Sequence, residues 1–478
     1  MTKLHKAYIG GQWLAGNQGS FEVDDPATGE IVAKVADVSL EQVEQAIEAA
    51  HQAFGSWRRL SAQERADLLL AWYHKVGENR QRLAEVITLE SGKPIAEALS
   101  EVDYGASYLR WYAEEAVRAN GRTLPTLPGG RRPMTLKQPV GVVGVITPWN
   151  FPLAMIARKV APALAAGCTL VIKPAAETPL TALLLTGLAE EAGLPPGVIN
   201  LVPGTDAATI GHRLCTHPKV RKLSFTGSTA VGRILMAQSA SGIQRLSLEL
   251  GGNAPFLVFD DANLEAAVEG LIASKFRNSG QTCVCANRIL VQRGIYDPFI
   301  RRLKTRMASL TLGPGSLPGA DLGPLISDRA IARVESLVDQ ALEAGAVKTL
   351  GAGRVGEASR YYSPTLLESV TPQNPIWSQE IFGPVVTVTP FDTEEEGIAL
   401  ANHTEAGLAS YLFSDTLSRA MRVAESLDYG MVGINEGIIS SATAPFGGIK
   451  SSGLGREGGQ EGLDEYLETK YLCLGGMG

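Results

Sequence analysis

The chain has 478 residues, with 43 Lys+Arg against 50 Asp+Glu and a formal net charge of −7, so a mild acidic surplus without a basic block excludes nucleic acid as the expected partner. Five scattered cysteines form no secreted disulfide framework, and at about 150 residues per domain the length suggests about three domains with ample core. The N-terminus lacks the apolar run of a signal peptide and no apolar stretch is long enough for a bilayer, so the expectation is a cytoplasmic enzyme with no membrane partner.

The first hundred residues open with short alternating runs and then turn helical. Ser39-Leu-Glu-Gln42 reads as a capping box ahead of Val43, Ile47, Ala50 and Phe54 on one helical face. Ser61-Ala-Gln-Glu64 repeats the signal ahead of Leu68, Leu69, Trp72 and Val76, and the pair reads as a helical hairpin. Residues 121–138, rich in Pro, Gly and Arg, read as a linker or an extended arm. From residue 141, β-rich runs at 142–147, 168–173, 198–202, 222–225 and 246–250 alternate with helical stretches at 153–166, 181–191, 206–216 and 229–239. Strands at that spacing predict a mostly parallel sheet with helices on both faces and ligands at the carboxyl ends of its strands. A second alternation begins near Ala254 (APFLVFD) and runs through ANRILVQ, PVVTVTPF, ASYLFS and MVGINE, which reads as a second α/β unit. The tail from Tyr466 to Leu474 alternates polar and apolar residues and could pair as a strand with a neighbouring subunit.

Gly453-Leu-Gly455-Arg-Glu-Gly458 has the dinucleotide G-x-G-x-x-G spacing, but it follows a polar loop instead of a strand and reads as a flexible loop. Gly227-Ser-Thr-Ala-Val-Gly232 follows the run KLSF and opens a helix, so its backbone N–H groups can face a diphosphate. Arg233 and Ile234 stand where a P-loop has Lys-Ser/Thr. His212, Cys215 and His217 cluster without the further ligands that a metal site needs, and the absence of G-x-S-x-G leaves a serine hydrolase unsupported. The reactive candidate is Cys283 in Asn278-Ser-Gly-Gln-Thr-Cys283-Val-Cys285, on a loop of small and polar residues where a thiolate is expected. Cys168, at an apolar strand start, reads as packing. Glu249 closes the last run of the first unit in Glu249-Leu-Gly-Gly252, and Asn150 sits in the Pro148–Pro152 turn after the first run. A thiol, a carboxyl and a side-chain amide near one cleft suit nucleophilic chemistry with an oxyanion donor.

PWNFP, Lys173-Pro-Ala-Ala-Glu-Thr-Pro, FTGSTAVG, LELGG, GQTC, Glu380-Ile-Phe-Gly-Pro384 and PFGGIKSSG stand in the order and spacing of the aldehyde dehydrogenase superfamily. The resemblance covers essentially the whole chain. SKFRNSGQTCVCANR and YGMVGINEGIISSATAPFGGIKSSGLGREG most resemble the succinate-semialdehyde dehydrogenases. The resemblance implies an α/β fold with a Rossmann-type cofactor domain (1–120 and 140–248) and a second α/β catalytic domain (249–455). A small oligomerisation arm and tail (121–139 and 456–478) would complete a homodimer or homotetramer. It also implies Cys283 as nucleophile, Glu249 as general base, and Asn150 with the Cys283 backbone N–H as oxyanion donors. At the cofactor it implies Lys173, with Ala176 beside it, at the adenosine ribose, and Gly227 and Ser228 at the diphosphate. Glu380 would meet the nicotinamide ribose, with Phe382, Trp149 and Leu250 against the cofactor. The implied reaction is NAD(P)-dependent oxidation of succinate semialdehyde to succinate through a cysteine thiohemiacetal and thioester. Glu249, an acid that CoA-acylating relatives lack, favours hydrolysis of that thioester. Glutarate semialdehyde, one methylene longer, is the alternative substrate. A thiol esterase with no redox step and a non-catalytic relative are the alternative classes, the second disfavoured because Cys283, Glu249 and Asn150 are intact.

NADP is the expected cofactor, with NAD possible. NAD-preferring relatives often carry Glu three residues after the adenosine-site lysine; here that position is Ala176, which neither accepts from a 2′-hydroxyl nor repels a 2′-phosphate. Glu177, one residue on, could do the same job as that Glu. Cys283 and Cys285 are expected to form a reversible inactivating disulfide, as the same C-V-C pair in the resembled family suggests; Cys285 as a small packed residue is the competing reading. Arg158, eight residues after Asn150, and Arg277, six before Cys283, occupy positions that carry aromatics in relatives acting on simple aldehydes. With Ser441 and Phe446 they are expected to receive a small carboxylate-bearing aldehyde, the competing reading being that both arginines pair with protein acids.

Overall fold

The computed structural model describes residues 5–356 and 359–476. Strands β1 (Ala7–Ile9), β2 (Gln12–Leu14), β3 (Ser20–Asp24) and β4 (Ile31–Ala36) precede four helices: α1 (Leu40–Trp57), α2 (Ala62–Glu78), α3 (Arg80–Ser91) and α4 (Ile95–Ala116). Both capping boxes form, on Ser39 with Gln42 and on Ser61 with Glu64. The hairpin expected from them continues into α3 and α4, which have no side-chain cap to announce them: α3 starts from Asn79 directly after α2, and α4 starts after Pro94.

The extended arm holds β5 (Arg132–Pro139). Then β6 (Val142–Ile146), β7 (Thr169–Lys173), β8 (Ile199–Leu201), β9 (Val220–Thr226) and β10 (Arg245–Glu249) alternate with α5 (Ala154–Ala166), α6 (Pro179–Glu191), α7 (Ala207–Thr216) and α8 (Thr229–Ser239). The second unit contains β11 (Ala254–Val258), α9 (Leu264–Phe276), β12 (Ala286–Gln292), α10 (Tyr296–Ala308), α11 (Asp328–Glu343), β13 (Val347–Leu350), β14 (Thr365–Glu368), β15 (Val385–Phe391), α12 (Glu394–Asn402), β16 (Ala409–Phe413), α13 (Leu417–Ser426) and β17 (Met431–Ile434). The chain ends with β18 (Gly453–Leu454), the short α14 (Glu461–Asp464) and β19 (Leu467–Leu474).

The first sheet runs β18-β10-β9-β6-β7-β8-β1-β2, with β10, β9, β6, β7 and β8 parallel and antiparallel strands at both edges. The second runs β13-β14-β15-β12-β11-β16-β17 and is parallel except for the β13–β14 pair. Two findings differ from the sequence reading. The Gly453–Gly458 segment is not a free loop: Leu454 pairs with Leu248 on the edge of the first sheet, and Phe446 and Glu457 exchange both backbone hydrogen bonds at 2.6 and 2.8 Å. The tail strand β19 pairs along its whole length with β5 of its own chain, from Leu467↔Pro139 to Leu474↔Arg132, so one of its two edges is taken by the arm, a partner the sequence reading did not name. Helix α5 is buried at every position, Arg158 and Lys159 included, which obliges the surrounding protein to neutralise both cations. Among the described residues no helix is long and apolar enough to cross a membrane.

Candidate active site

The carboxyl ends of β7, β6, β9 and β10 lie side by side, and they carry Lys173, the Pro148–Pro152 turn, Gly227-Ser228 and Glu249-Leu250. The second sheet presents its opposite ends to them: Cys283 precedes β12, and Glu380 precedes β15, the parallel neighbour of β12. A cavity of about 340 Å³ lies between, bordered by Trp149, Asn150, Ser228, Leu250, Cys283, Glu380 and Phe382. The backbone of Gly252 passes so near the Cys283 carbonyl that a Cβ there would stand 2.1 Å from its oxygen, so only glycine permits this approach.

The loop before Cys283 is held in an unusual shape. Asn278, Ser279 and Gly280 have φ of 49°, 55° and 78°, and a Cβ on Gly280 would meet the Gly383 carbonyl oxygen at 2.3 Å. Positive φ at two non-glycine residues costs energy and needs enforcement. Glu97 of α4 accepts from the Asn278 N–H at 2.7 Å, Ser279 Oγ donates to Gly323 O at 2.8 Å, and Gln281 Oε1 accepts from the Ile326 N–H at 3.0 Å. The Asn150 turn is tied to the same loop. Asn278 Nδ2 and Lys93 Nζ donate to Asn150 O at 3.1 and 2.9 Å, and Asn150 Nδ2 donates to Gln281 O at 3.0 Å. Neither the second N–H of Asn150 nor the backbone N–H of Cys283 has an acceptor among the described residues, which leaves two donors for an oxyanion.

The charges around the thiol are arranged in opposition. Burial pushes the Cys283 thiol up to about 12; Arg158 draws it back, while Glu380 and Glu249 push further. The thiolate expected from the loop's composition is therefore a protonated thiol at rest, because desolvation outweighs the nearby guanidinium. Glu249 is 2% exposed, its Oε2 lacks a hydrogen-bond partner, and burial plus the neighbouring Glu457 hold it well above the usual carboxylate range. Burial would raise Glu457 too, but Arg158 and Lys159, both ion-paired to it, hold it below that range. Glu457 and Lys159 were not found in the sequence, since 298 residues separate them and Glu457 sits within the segment read as a flexible loop.

The cavity suits a dinucleotide. Helix α8 begins on its wall at Ser228, whose Oγ accepts from the Val231 N–H at 3.3 Å, and the first N–H groups of such a helix form an anion site. Thr226 Oγ1 is buried at the same wall with no partner. Lys173 Nζ donates only to Pro174 O at 3.0 Å; burial draws its ammonium downward, with Glu177 and Asp37 opposing. Glu177 borders the cavity whereas Ala176 does not. Glu380 Oε1 accepts from the Gly252 N–H at 3.0 Å, and burial raises its carboxyl to about 7 against that bond, Arg333 and Lys275. Phe382 stands at φ 56° with its ring edge-to-face on Trp149, centroids 5.6 Å apart.

The two arginines part company. Arg158 is not an unpaired receptor: its guanidinium is ion-paired with Glu457 and lies over the Phe446 ring, 4.4 Å from the centroid, although its Nη2 remains buried without a partner. Arg277 has no acid in ion-pair reach among the described residues and rests over Phe151 and Tyr104, 4.7 and 5.9 Å from their centroids. Ser441 shares a hydrogen bond with Thr443 at 2.9 Å and borders a separate cavity of about 470 Å³ between α2 and α4, not the one in front of Cys283. Cys283 and Cys285 are free thiols; Cys285 is buried and donates to Gly280 O at 3.4 Å. Of the His212–Cys215–His217 group, Cys215 is buried in the core and His217 pairs with Glu44 at 3.2 Å.

The aldehyde dehydrogenase family model matches residues 13–472. A mitochondrial succinate-semialdehyde dehydrogenase of Arabidopsis thaliana is 53% identical over 98% of this chain and 89% of its own length. A glutarate-semialdehyde dehydrogenase of Pseudomonas aeruginosa is 52% identical over 99% of this chain and 98% of its own. The crystal structure of an NADP-dependent enzyme from E. coli, 50% identical, superposes with a TM-score of 0.98 over 99% of both chains. With the two facing sheet edges, the fold and the motif register, these matches place the chain: it belongs to the aldehyde dehydrogenase family.

Proposed function

We propose that the protein oxidises succinate semialdehyde to succinate with NADP as preferred cofactor and NAD accepted, Cys283 being the nucleophile. Arg277 carries this reading: a guanidinium with no acid in ion-pair reach among the described residues, resting on aromatic faces beside the Cys283 loop, suits a substrate carboxylate. Arg158 offers its unpartnered Nη2 beside Phe446. The relatives support it through the substrates in their names, succinate and glutarate semialdehyde, and the E. coli structure through its cofactor.

Cys283 Sγ adds to the aldehyde carbon as the thiolate, its proton lost to solvent, and the new alkoxide meets the free N–H of Asn150 and the backbone N–H of Cys283. Lys173 and Glu177 would hold the adenosine ribose, the start of α8 the diphosphate, and Glu380 the nicotinamide ribose, with Trp149, Leu250 and Phe382 closing around that end. The dinucleotide, when bound, supplies the hydride acceptor. With the hydride gone, the carbon is a thioester of Cys283, and Glu249 takes a proton from the water that hydrolyses it. A cavity that runs from the start of α8 to the thiol favours this over a redox-free esterase. Residues 1–120 with 140–248 would form the cofactor domain and 249–455 the catalytic domain. The arm and tail would assemble a cytoplasmic homodimer or homotetramer.

The test is a kcat/KM series over succinate semialdehyde, glutarate semialdehyde and butanal, each with NAD and NADP, for the wild type and Arg277→Ala. The variant should lose about 2–5 kcal/mol of transition-state stabilisation for the two anionic substrates and far less for butanal. Equal losses on all three overturn the carboxylate assignment. Faster glutarate turnover moves the substrate by one methylene, and a higher kcat/KM with NAD reverses the cofactor preference.

A further inference from the structure

Among the described residues two of the five buried lysines, Lys173 and Lys275, have no carboxylate in ion-pair contact. Lys93, Lys159 and Lys222 each have a carboxylate in ion-pair contact: Glu101, Glu457 and Glu465. Lys275, in the last turn of α9, is 0% exposed, and among the described residues no acid lies within ion-pair reach of it. The one acceptor for its Nζ is the sulfur of Cys285, at 3.8 Å. Cys285 is equally enclosed, with its S–H aimed at Gly280 O and its backbone N–H bonded to Thr282 O at 3.3 Å.

A buried ammonium without a counter-charge is costly, which favours the neutral amine. Burial draws Lys275 down in that direction, against the pull of Cys285 and Glu380. An amine and a thiol that meet away from solvent are a pair of reducing groups.

We propose that Lys275 and Cys285 form an oxidant-responsive covalent cross-link, an N–O–S bridge from Nζ to Sγ, with hydrogen peroxide as the oxidant. One peroxide converts the Cys285 thiol to the sulfenic acid and leaves as water, placing the bridging oxygen on sulfur. A second peroxide takes two electrons as the N–O bond forms: the amine gives up one hydrogen, the S–OH the other, and two waters leave. Sulfur and nitrogen are each oxidised by two electrons, and the balance is thiol plus amine plus two peroxides giving the bridge plus three waters. Two equivalents of dithiol reverse it to thiol and amine. The bridge ties the end of α9 to the residue two beyond Cys283, so oxidation acts on the loop that carries the nucleophile without consuming that nucleophile.

The experiment treats the full chain with hydrogen peroxide and reads intact mass, then maps proteolytic peptides before and after dithiothreitol. The expected product gains one oxygen and loses two hydrogens, joins the peptides containing Lys275 and Cys285, and disappears with dithiothreitol. Cys283→Ser should retain it, while Cys285→Ser and Lys275→Met should each abolish it. The wild-type peptide map is decisive by itself should either of those variants fold poorly. A Cys283–Cys285 disulfide, a direct S–N link, uncross-linked sulfur oxides on Cys285, or no change in mass would each overturn the proposal. None of these readouts depends on which aldehyde the enzyme takes.

Discussion

On the α5 side of Cys283 the charges are two buried cations sharing one acid, Arg158 and Lys159 on Glu457; toward the sheet edges they are acids, Glu249 and Glu380, with no cation in ion-pair contact among the described residues. Glu249 and Glu457 are equally buried, at 2% and 3% exposure, yet the first is pushed far above the usual carboxylate range and the second held below it. The neighbours, not the burial, separate them. A carboxyl pushed upward by burial and a like charge is the stronger base once ionised, whereas one clamped between a guanidinium and an ammonium is a structural counter-charge.

Three experiments probe that contrast. The largest effect is expected for Glu249→Gln, which should keep the first burst of reduced cofactor in rapid-mixing experiments while steady-state turnover falls by about 10²–10⁴, the range for a lost general base. Unchanged turnover would make Glu249 a bystander and erase the distinction. Next, Glu457→Gln strands two buried cations and should cost about 3–5 kcal/mol in urea denaturation, as removal of one partner from a buried ion pair does. It also removes the like charge beside Glu249, so the acid limb of the turnover profile should move to lower pH; a stability loss below about 1 kcal/mol would show that the cluster is not a closed unit. The smallest effect concerns Glu380. Its carboxyl ionises near 7, and the ionised form is the stronger acceptor for ribose hydroxyls, so the cofactor KM should fall severalfold as pH rises from about 6 to about 8. Glu380→Gln should flatten that dependence, and a wild-type KM constant across the window would contradict it.

Much of the site was legible because it is local. Asn150, Lys173, Gly227 and Glu249 each stand at or just past the end of a β-rich run, and parallel strands align those ends whatever the rest of the chain does. Helices with capping boxes were legible for the same reason, whereas α3 and α4, without side-chain caps, were not. The pairing of β19 with β5 joins segments more than three hundred residues apart, and no local pattern names a strand's partner.

The amino-acid sequence by itself determined the alternation of elements, the family, and which thiol, amide and carboxyl stand at the cleft, because these depend on periodicity and on residues adjacent along the chain. Only the tertiary structure decided the protonation and the pairing: that Cys283 rests as a thiol, that Arg158 is neutralised by Glu457 while Arg277 is not, that Glu177 borders the cofactor cavity where Ala176 does not, and that Lys275 has only a sulfur to meet. Those properties follow from desolvation and from charges a few ångströms away in space, and both are set by packing between segments that the chain brings together only when it is folded.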